Sequence, residues 1–181
     1  MNIKNQVHLI EKCKNNDSRA QMQLYDLYCK AMFNTAFNFI KDDDIAQDVM
    51  QEAFIKAFKK IGTYTGEASF GSWLKRIVIN QSLDWLKKKK LETIELKEEV
   101  AYLPNDDPLE VDNEISMAVI YRCIEALPQK CKNVVKLYLL EGYDHQEVAQ
   151  ILEISEVASR SQLSRGKSKL KELLIHENYE S

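Results

Sequence analysis

The chain has 181 residues, which at about 150 residues per domain is enough for one ordinary domain or two small ones. It is 45% hydrophobic with a net charge of −3, and these values exclude a wholly disordered chain and predict a hydrophobic core. Only 5 Gly and 3 Pro are present, too few turn-forming residues for the many short strands of a β-sandwich. Because good helix formers are abundant, we expect an all-α fold.

The cysteines and the N-terminus bear on compartment and cofactors. Cys13, Cys29, Cys123 and Cys131 form no C-x-x-C pair, and the histidines show no H-x-x-x-H spacing, so we expect no metal and no cofactor. Neither a signal-peptide core nor a window of ~18 apolar residues occurs in the sequence. We expect a cytoplasmic protein with buried, reduced thiols and no membrane insertion.

Charge is segregated along the chain. Residues 1–90 carry 15 basic and 10 acidic side chains, residues 91–113 carry 1 and 8, and residues 114–181 carry 9 and 10. The middle segment also holds two of the three prolines, which predicts an acidic linker at 91–113 between helical domains at 1–90 and 114–181. Each domain ends in a basic segment. Such segments are often only solvated helix ends, but one per domain favours two contacts along a nucleic acid.

The first domain begins with two predicted core helices. Asp17 and Ser18 can cap a helix that runs to about Ile40, and a second amphipathic helix follows Lys41 and three aspartates. Away from the apolar stripe of the second helix, four side chains at positions i, i+3, i+4 and i+7 form one patch: Asp48, Gln51, Glu52 and Ile55. From the pattern alone, this patch is either a solvated face with one stray aliphatic residue or a contact surface for a partner.

A glycine-rich loop and a third helix follow. The segment IGTYTGEASFG (61–71) holds three of the five glycines together with Tyr64 and Phe70. These aromatics could stack on unpaired bases or simply anchor the loop. The next helix aligns Arg76, Asn80 and Lys87, with Asp84 among them, opposite its apolar side. Asn suits base edges and Arg or Lys suits phosphates, so this side is a candidate nucleic-acid surface.

The second domain ends in a predicted helix-turn-helix. Asp144 and Glu147 form a capping box that opens a short helix, and Ser155 can cap the longer helix that follows. We expect Val157, Leu163 and Leu170 to face inward on that helix, and a polar and basic set to face outward: Arg160, Ser161, Gln162, Ser164, Arg165 and Lys167. The spacing suits a recognition helix in a major groove, although an αα-hairpin that binds no DNA shares it. His145 is expected to be a surface histidine.

Several short motifs, in this order and spacing, resemble a known family over roughly residues 6–175. They are DVMQEAF (48–54), FGSWLKRI (70–77) with Asn80 and Asp84, then LP (127–128), EGY (141–143), EVA (147–149) and SQLSR (161–165). The chain resembles the small two-domain, extracytoplasmic-function sigma factors of bacterial RNA polymerase. This resemblance implies a region 2-like bundle and a region 4-like helix-turn-helix that recognise the −10 and −35 elements of promoters and direct transcription initiation.

The resemblance also assigns roles to residues. Asp48, Gln51 and Glu52, with Ile55 beside them, are implied to bind the β′ clamp helices of core polymerase. The loop from Tyr64 to Phe70 is implied to hold an everted base of the melted −10 element, with Arg76, Asn80 and Lys87 along its upstream edge. In the second domain, Arg160, Arg165 and Lys167 are implied to bind phosphates of the −35 element, and Ser161 and Gln162 its base edges. The implied partners are core polymerase, through the β′ clamp helices and the β flap, promoter DNA and an anti-sigma factor.

Departures from the family pattern fall in the second domain. Glu153 stands where the family usually has a glycine, and a left-handed Glu costs about 1 kcal/mol. Val157 and Ala158 replace a frequent Gly-Thr pair, and Gly166 replaces an alanine at a cost of about 1 kcal/mol in a helix interior. These changes bear on the −35 contacts more than on the fold.

The main alternative is a helix-turn-helix regulator that binds operators by itself, with the first domain for dimerisation or sensing. No nucleophile–base pair, phosphate-binding glycine loop or metal set is present, so we do not expect an enzyme.

Overall fold

A computed structural model describes residues 3–95 and 116–180 of the chain, with side chains described over 6–91 and 116–177. The described residues form helices joined by loops and short turns, and no strand occurs among them, which confirms the all-α prediction. The elements are α1 (Ile3–Lys14), α2 (Ser18–Ile40), α3 (Asp43–Lys60), a 3-10 turn (Ile61–Thr63), α4 (Phe70–Glu95), α5 (Met117–Glu125), α6 (Gln129–Val135), a π-helical turn (Lys136–Leu140), α7 (His145–Leu152) and α8 (Glu156–Glu180).

The helices divide into two compact units, α1–α4 and α5–α8. The first five residues of the predicted linker are helical, because α4 continues through Leu91 and Glu92, both good helix formers, to Glu95. The rest of that linker, residues 96–113, lies outside the described residues. The proposed domain limits therefore stay a prediction.

In the first unit, α2, α3 and α4 pack against one another, and α1 packs on α2 and the 3-10 turn. The Asp17 carboxylate caps α2 by accepting the backbone N–H groups of Arg19 and Ala20 at 2.9 and 3.1 Å, as predicted. Asp42 caps α3 in the same way through the N–H of Ile45 at 3.1 Å. Helix α1 was not predicted, and it buries Ile10 and Cys13 against this bundle.

In the second unit, α5, α6 and α7 all pack against α8. The apolar run KNVVKLYLL (132–140) continues α6 into the π-helical turn, which ends before Gly142 with φ +78°. Lys136 in that turn is buried and pairs with Glu125 of α5, with Nζ and Oε1 2.7 Å apart. This ion pair joins α5 to the π-helical turn beneath the unit's surface.

Thiols and candidate metal ligands are isolated in the described part of the chain. All four cysteines are free; Cys13 and Cys123 are buried, while Cys29 and Cys131 are half-buried. Burial raises the pKa of the Cys13 thiol to about 11, which keeps it protonated and unreactive near neutral pH. Across residues 3–95 and 116–180, no helix is long and apolar enough to cross a membrane, and no cluster of His, Cys, Asp or Glu is arranged to hold a metal.

Candidate functional site

The first candidate surface is the polar patch on α3, formed by Asp48, Gln51, Glu52 and Ile55 and called the α3 patch below. The buried side chains Val49, Ala53 and Ala57 hold the other side of the helix in the core, so the patch faces solvent. All four of its side chains are exposed, and Ile55 is 55% exposed. The exposed aliphatic side chain offers an apolar contact, and the two carboxylates beside it offer charges that a complementary partner surface can pair.

A residue on α4 positions one member of this patch. The amide nitrogen of Gln81 donates to Glu52 Oε2 at 2.8 Å, while its amide oxygen accepts from Lys56 Nζ at 3.2 Å. The Glu52 carboxylate is therefore directed by a hydrogen bond that crosses from one helix to another. Gln81 was not predicted, because its partners lie 29 and 25 residues away and no local pattern links them.

The loop between α3 and α4 is held in shape by its own aromatic side chains. The hydroxyl of Tyr64 donates to the carbonyl of Ala68 at 2.7 Å, which closes the loop. The Tyr64 ring meets the Phe70 ring edge-on at 5.6 Å and lies 5.5 Å from the Trp73 ring. These contacts leave Tyr64 half-buried.

The predicted base contact by Phe70 is wrong for this conformation. Its side chain is only 2% exposed, and it packs between Tyr28, Tyr64 and Trp73. A ring enclosed by three others cannot stack on a base without unfolding the loop. Phe70 instead anchors the start of α4, the alternative that the sequence left open.

An open cleft of about 470 Å³ lies between this loop and α1. The loop contributes Tyr64, Thr65, Gly66, Glu67, Ala68, Ser69 and Phe70, and α1 contributes Gln6, Val7, Ile10, Glu11 and Lys14. The Lys14 ammonium and the Glu11 carboxylate pair at 2.9 Å on its α1 side. These α1 residues were not predicted, because their place in the cleft depends on how α1 packs against α2 and the 3-10 turn.

The α4 residues proposed for DNA contact lie on the solvent side of that helix. Arg76 and Lys87 are exposed and Asn80 is half-buried; these three residues are called the α4 stripe. Asp84 is exposed between Asn80 and Lys87, and its carboxylate repels phosphates at that position. The stripe therefore combines two cations with one amide that can reach a base edge.

The second unit contains the predicted helix-turn-helix. The capping box of α7 is confirmed, because Glu147 N–H donates to the Asp144 carboxylate at 2.8 Å and Asp144 N–H donates to the Glu147 carboxylate at 2.9 Å. The turn passes through Glu153 with φ +55°, the left-handed conformation expected there. Ser155 then caps α8 by accepting the N–H of Ala158 at 3.1 Å.

The exposed side of α8 carries the residues proposed for the −35 element. Arg160, Ser161, Arg165 and Lys167 are exposed and Gln162 is half-buried; these five residues are called the α8 face. Each cation of this face has a partner on its own unit. Arg160 Nη2 lies 3.0 Å from Glu156 Oε2, Arg165 Nε donates to the Ser161 carbonyl at 3.3 Å, and Lys167 Nζ lies 5.6 Å from the centre of the Tyr138 ring.

Three expectations for this unit are corrected by the packing of α8. Val157 does not face inward: it is 72% exposed, because the buried column of α8 consists of Ser159, Leu163 and Gly166. His145 is not a plain surface histidine, since its Nδ1 forms a 2.9 Å hydrogen bond with the hydroxyl of the buried Ser159 and its ring lies 4.7 Å from Tyr138. It joins α7 to α8.

Gly166 was expected only to lower the helix propensity of α8, but it also has a role in packing. A Cβ atom added at this position would lie 2.6 Å from Cγ2 of Val135 and 3.4 Å from Cβ of Cys131. Any side chain at this position would therefore force Val135 or one of the two helices to shift. The departure from the family's alanine is therefore a packing requirement of this chain.

Comparisons with known proteins identify the family of the chain. The family described as Sigma-70 region 2 matches residues 24–92, and the family described as Sigma-70, region 4 matches residues 117–170. The chain is 26% identical over 178 residues to the RNA polymerase sigma-H factor of Pseudomonas aeruginosa, with 92% of each chain covered. It is 25% identical over 171 residues to the ECF RNA polymerase sigma-E factor of Escherichia coli (strain K12), with 88% of each covered.

Solved structures share the fold. The sigma factor RpoE of Bartonella quintana, solved in complex with the anti-sigma factor NepR, superposes with a TM-score of 0.66 at 19% identity, covering 85% of this chain and 96% of that one. CnrH, solved in complex with the cytosolic domain of CnrY, gives a TM-score of 0.59 at 21% identity, covering 93% and 96%. With regions 2 and 4 both matched, the chain belongs to the sigma-70 family, as an RNA polymerase sigma factor of the extracytoplasmic-function type.

Proposed function

We propose that the α3 patch is the surface on which this sigma factor docks to the β′ clamp helices of core RNA polymerase. One observation carries the proposal: four exposed side chains form a continuous polar and aliphatic surface, and the Gln81 amide holds one of its carboxylates at 2.8 Å. A carboxylate held in advance loses less rotational freedom on binding than a free one. This favours a specific protein contact over a merely solvated helix.

For the −10 element, we propose that the cleft between α1 and the Tyr64 loop receives an everted base. Support comes from its mixed lining, which combines the aromatic Tyr64 with residues that carry hydrogen-bonding groups, such as Gln6 and Glu11. The α4 stripe then contacts the strand beside the cleft, with Arg76 and Lys87 on phosphates and Asn80 on a base edge. Phe70 supports the loop from below.

The α8 face is proposed to bind the −35 element in the major groove. Ser161 and Gln162 are assigned to base edges, and Arg160, Arg165 and Lys167 to phosphates. The partners of these cations are all on or beside a solvent-exposed helix surface, where such contacts contribute only a few tenths of a kcal/mol. Phosphates can replace them at little cost.

Under this proposal the chain is a detachable specificity subunit with three binding surfaces, and the catalytic groups belong to the polymerase. It acts in the cytoplasm, where the polymerase and the promoters are. The domain limits at 1–90, 91–113 and 114–181 belong to the proposal, with the acidic linker between the two promoter-binding domains. The second domain is also proposed to contact the β flap of core polymerase. An anti-sigma factor is the remaining proposed partner and would control the chain.

Run-off transcription with purified core enzyme and genomic promoter fragments tests the proposal. We expect discrete transcripts only when the chain and the core enzyme are both present, and weak binding of promoter DNA by the chain alone. A stand-alone regulator would instead shift palindromic DNA tightly without core enzyme. That outcome, together with no transcript in the presence of core enzyme, would reject the proposed docking and promoter contacts.

A further inference from the structure

Val157, in the first turn of α8, is the most exposed large hydrophobic side chain in the described part of the chain, at 72%. Its orientation is fixed by the elements around it. The Ser155 cap holds the start of α8 through the N–H of Ala158, and the buried column below packs α8 onto α6 and α7. The valine therefore points to solvent because its helix is held, not because its segment is loose.

The neighbours of Val157 are those of a nucleic-acid contact surface. Val157, Arg160, Ser161 and Ser164 follow i, i+3, i+4 and i+7, and all four are exposed on one side of α8. The carboxylate of Glu156, next to Val157, is paired with Arg160 at 3.0 Å, which reduces its repulsion of phosphates. No acidic residue follows between Arg160 and Lys171. The valine is thus an apolar group at the end of a cationic helix surface.

The chemistry of the major groove identifies what such a group can contact. Residues near the N-terminus of the second helix of a helix-turn-helix lie closest to the base edges. The apolar group that a base pair presents in the major groove is the C5 methyl of thymine. Val in a helix strongly prefers one χ1 rotamer, so its two methyl groups reach the groove with little loss of conformational freedom.

We propose that Val157 recognises a thymine of the −35 element by packing against its C5 methyl group. This inference rests on the proposed binding of α8 to that element. It assigns a specificity role to a position where the family often has glycine, which has no side chain to make such a contact. Val157 would thereby give this chain a base preference that Ser161 and Gln162 alone do not supply.

Single-methyl substitution in DNA tests the contact. Holoenzyme assembled from core enzyme and the full chain is titrated with a promoter fragment located by transcript mapping. In a series of such fragments, each thymine of the −35 element is replaced in turn by deoxyuridine. At one position, loss of the methyl should weaken binding by the wild-type chain about fourfold, the equivalent of one buried methyl group. Val157→Ala should weaken binding to the thymine fragment and be nearly insensitive to deoxyuridine there.

Ile175→Ala is the matched control, because Ile175 is another exposed aliphatic residue of α8, at 46%, far along the helix. It should retain the full deoxyuridine effect. Thermal unfolding of all three chains checks that the substitutions leave the fold intact.

The inference is overturned if no deoxyuridine substitution affects the wild-type chain, or if Val157→Ala loses the same affinity with thymine and with deoxyuridine. The second result would instead indicate that Val157 contacts a protein. Transcription by the holoenzyme, with a loss of upstream binding in Arg165→Ala, would leave the proposed function standing in both cases. Without such transcription, the proposed function fails and the inference fails with it.

Discussion

The α3 patch and the α8 face are both polar helix surfaces, but their side chains are held in different ways. Glu52 of the α3 patch is held from another helix by Gln81, whereas Arg160 and Arg165 of the α8 face are held by groups four residues away on α8 itself. A cross-helix contact fixes a side chain relative to the whole bundle. Contacts within one exposed helix are weak and easily exchanged, which suits docking on phosphates.

The largest effect is expected from the α3 patch itself. Gln51→Ala combined with Glu52→Ala removes two polar groups that we assign to the polymerase contact. Because hydrogen bonds to a charged group contribute about 1.5–3 kcal/mol, affinity for core enzyme should fall at least tenfold. Both side chains are exposed, so the melting temperature should stay nearly unchanged.

The control is Gln23→Ala combined with Asp26→Ala, an equally exposed amide and carboxylate on α2. It should bind core enzyme like the wild-type chain. If the Gln51 and Glu52 variant unfolds instead, those side chains are structural and the patch loses its proposed role.

The next effect concerns what makes the α8 face rigid. Because α8 is held by close packing underneath, Gly166→Ala should destabilise the second unit. Overpacking against Val135 costs about 1–3 kcal/mol and the helix propensity of alanine returns about 1 kcal/mol, so the net loss of stability should reach about 2 kcal/mol. Chemical denaturation should report a net loss.

A second substitution sharpens this result. In a Val135→Ala background, Gly166→Ala should cost much less, because the colliding Cγ2 atom is gone. Ser164→Ala, on the exposed side of α8, should leave the free energy of unfolding unchanged. If Gly166→Ala stabilised the second unit instead, a Cβ atom at this position would not collide with Val135, and the proposed packing requirement would be rejected.

A smaller effect tests the cross-helix contact of the α3 patch. Gln81→Ala leaves every patch residue in place but removes the amide that holds Glu52. Since ordering one free side chain on binding costs about 0.5–1.5 kcal/mol, affinity for core enzyme should fall about twofold to tenfold. Exposed Lys88 on the same helix supplies the control, as Lys88→Ala. Equal affinity of Gln81→Ala and the wild-type chain would remove the positioning role.

The smallest effect is expected from freeing a cation on α8. Glu156→Ala releases Arg160 from its 3.0 Å pair and removes a carboxylate near the phosphates. An exposed pair contributes about 0.3–0.5 kcal/mol, so holoenzyme affinity for promoter DNA should rise about twofold at low salt. Glu172→Ala, which breaks the Lys169 pair further along α8, is the control and should change affinity less. A loss of affinity in Glu156→Ala would show that the carboxylate itself contacts DNA.

Features decided by a few neighbouring residues could be predicted from the sequence. The Asp17 cap and the Asp144 capping box follow from backbone hydrogen bonding within one helical turn. The exposure of the α3 patch followed from the strong apolar stripe opposite it. Local chemistry was sufficient in each case.

Features decided by distant residues could not be predicted. The role of Gln81 depends on Glu52, which lies on another helix, α3. The α1 side of the cleft depends on where the N-terminal helix packs. Val157 was assigned to the wrong side because the true buried column of α8 includes Ser159 and Gly166, which carry no hydrophobic signal. Small and polar residues at a tight helix contact hide the buried face from a hydrophobicity pattern.

The central claim, that this sigma factor docks through the α3 patch, is tested most directly by titrating the labelled full chain with purified core polymerase at low salt. The account predicts saturable binding by the wild-type chain and by the α2 control variant, with affinity reduced at least tenfold when Gln51 and Glu52 are both replaced by alanine. Absence of binding by the wild-type chain, or equal binding by the folded α3 variant, would contradict it.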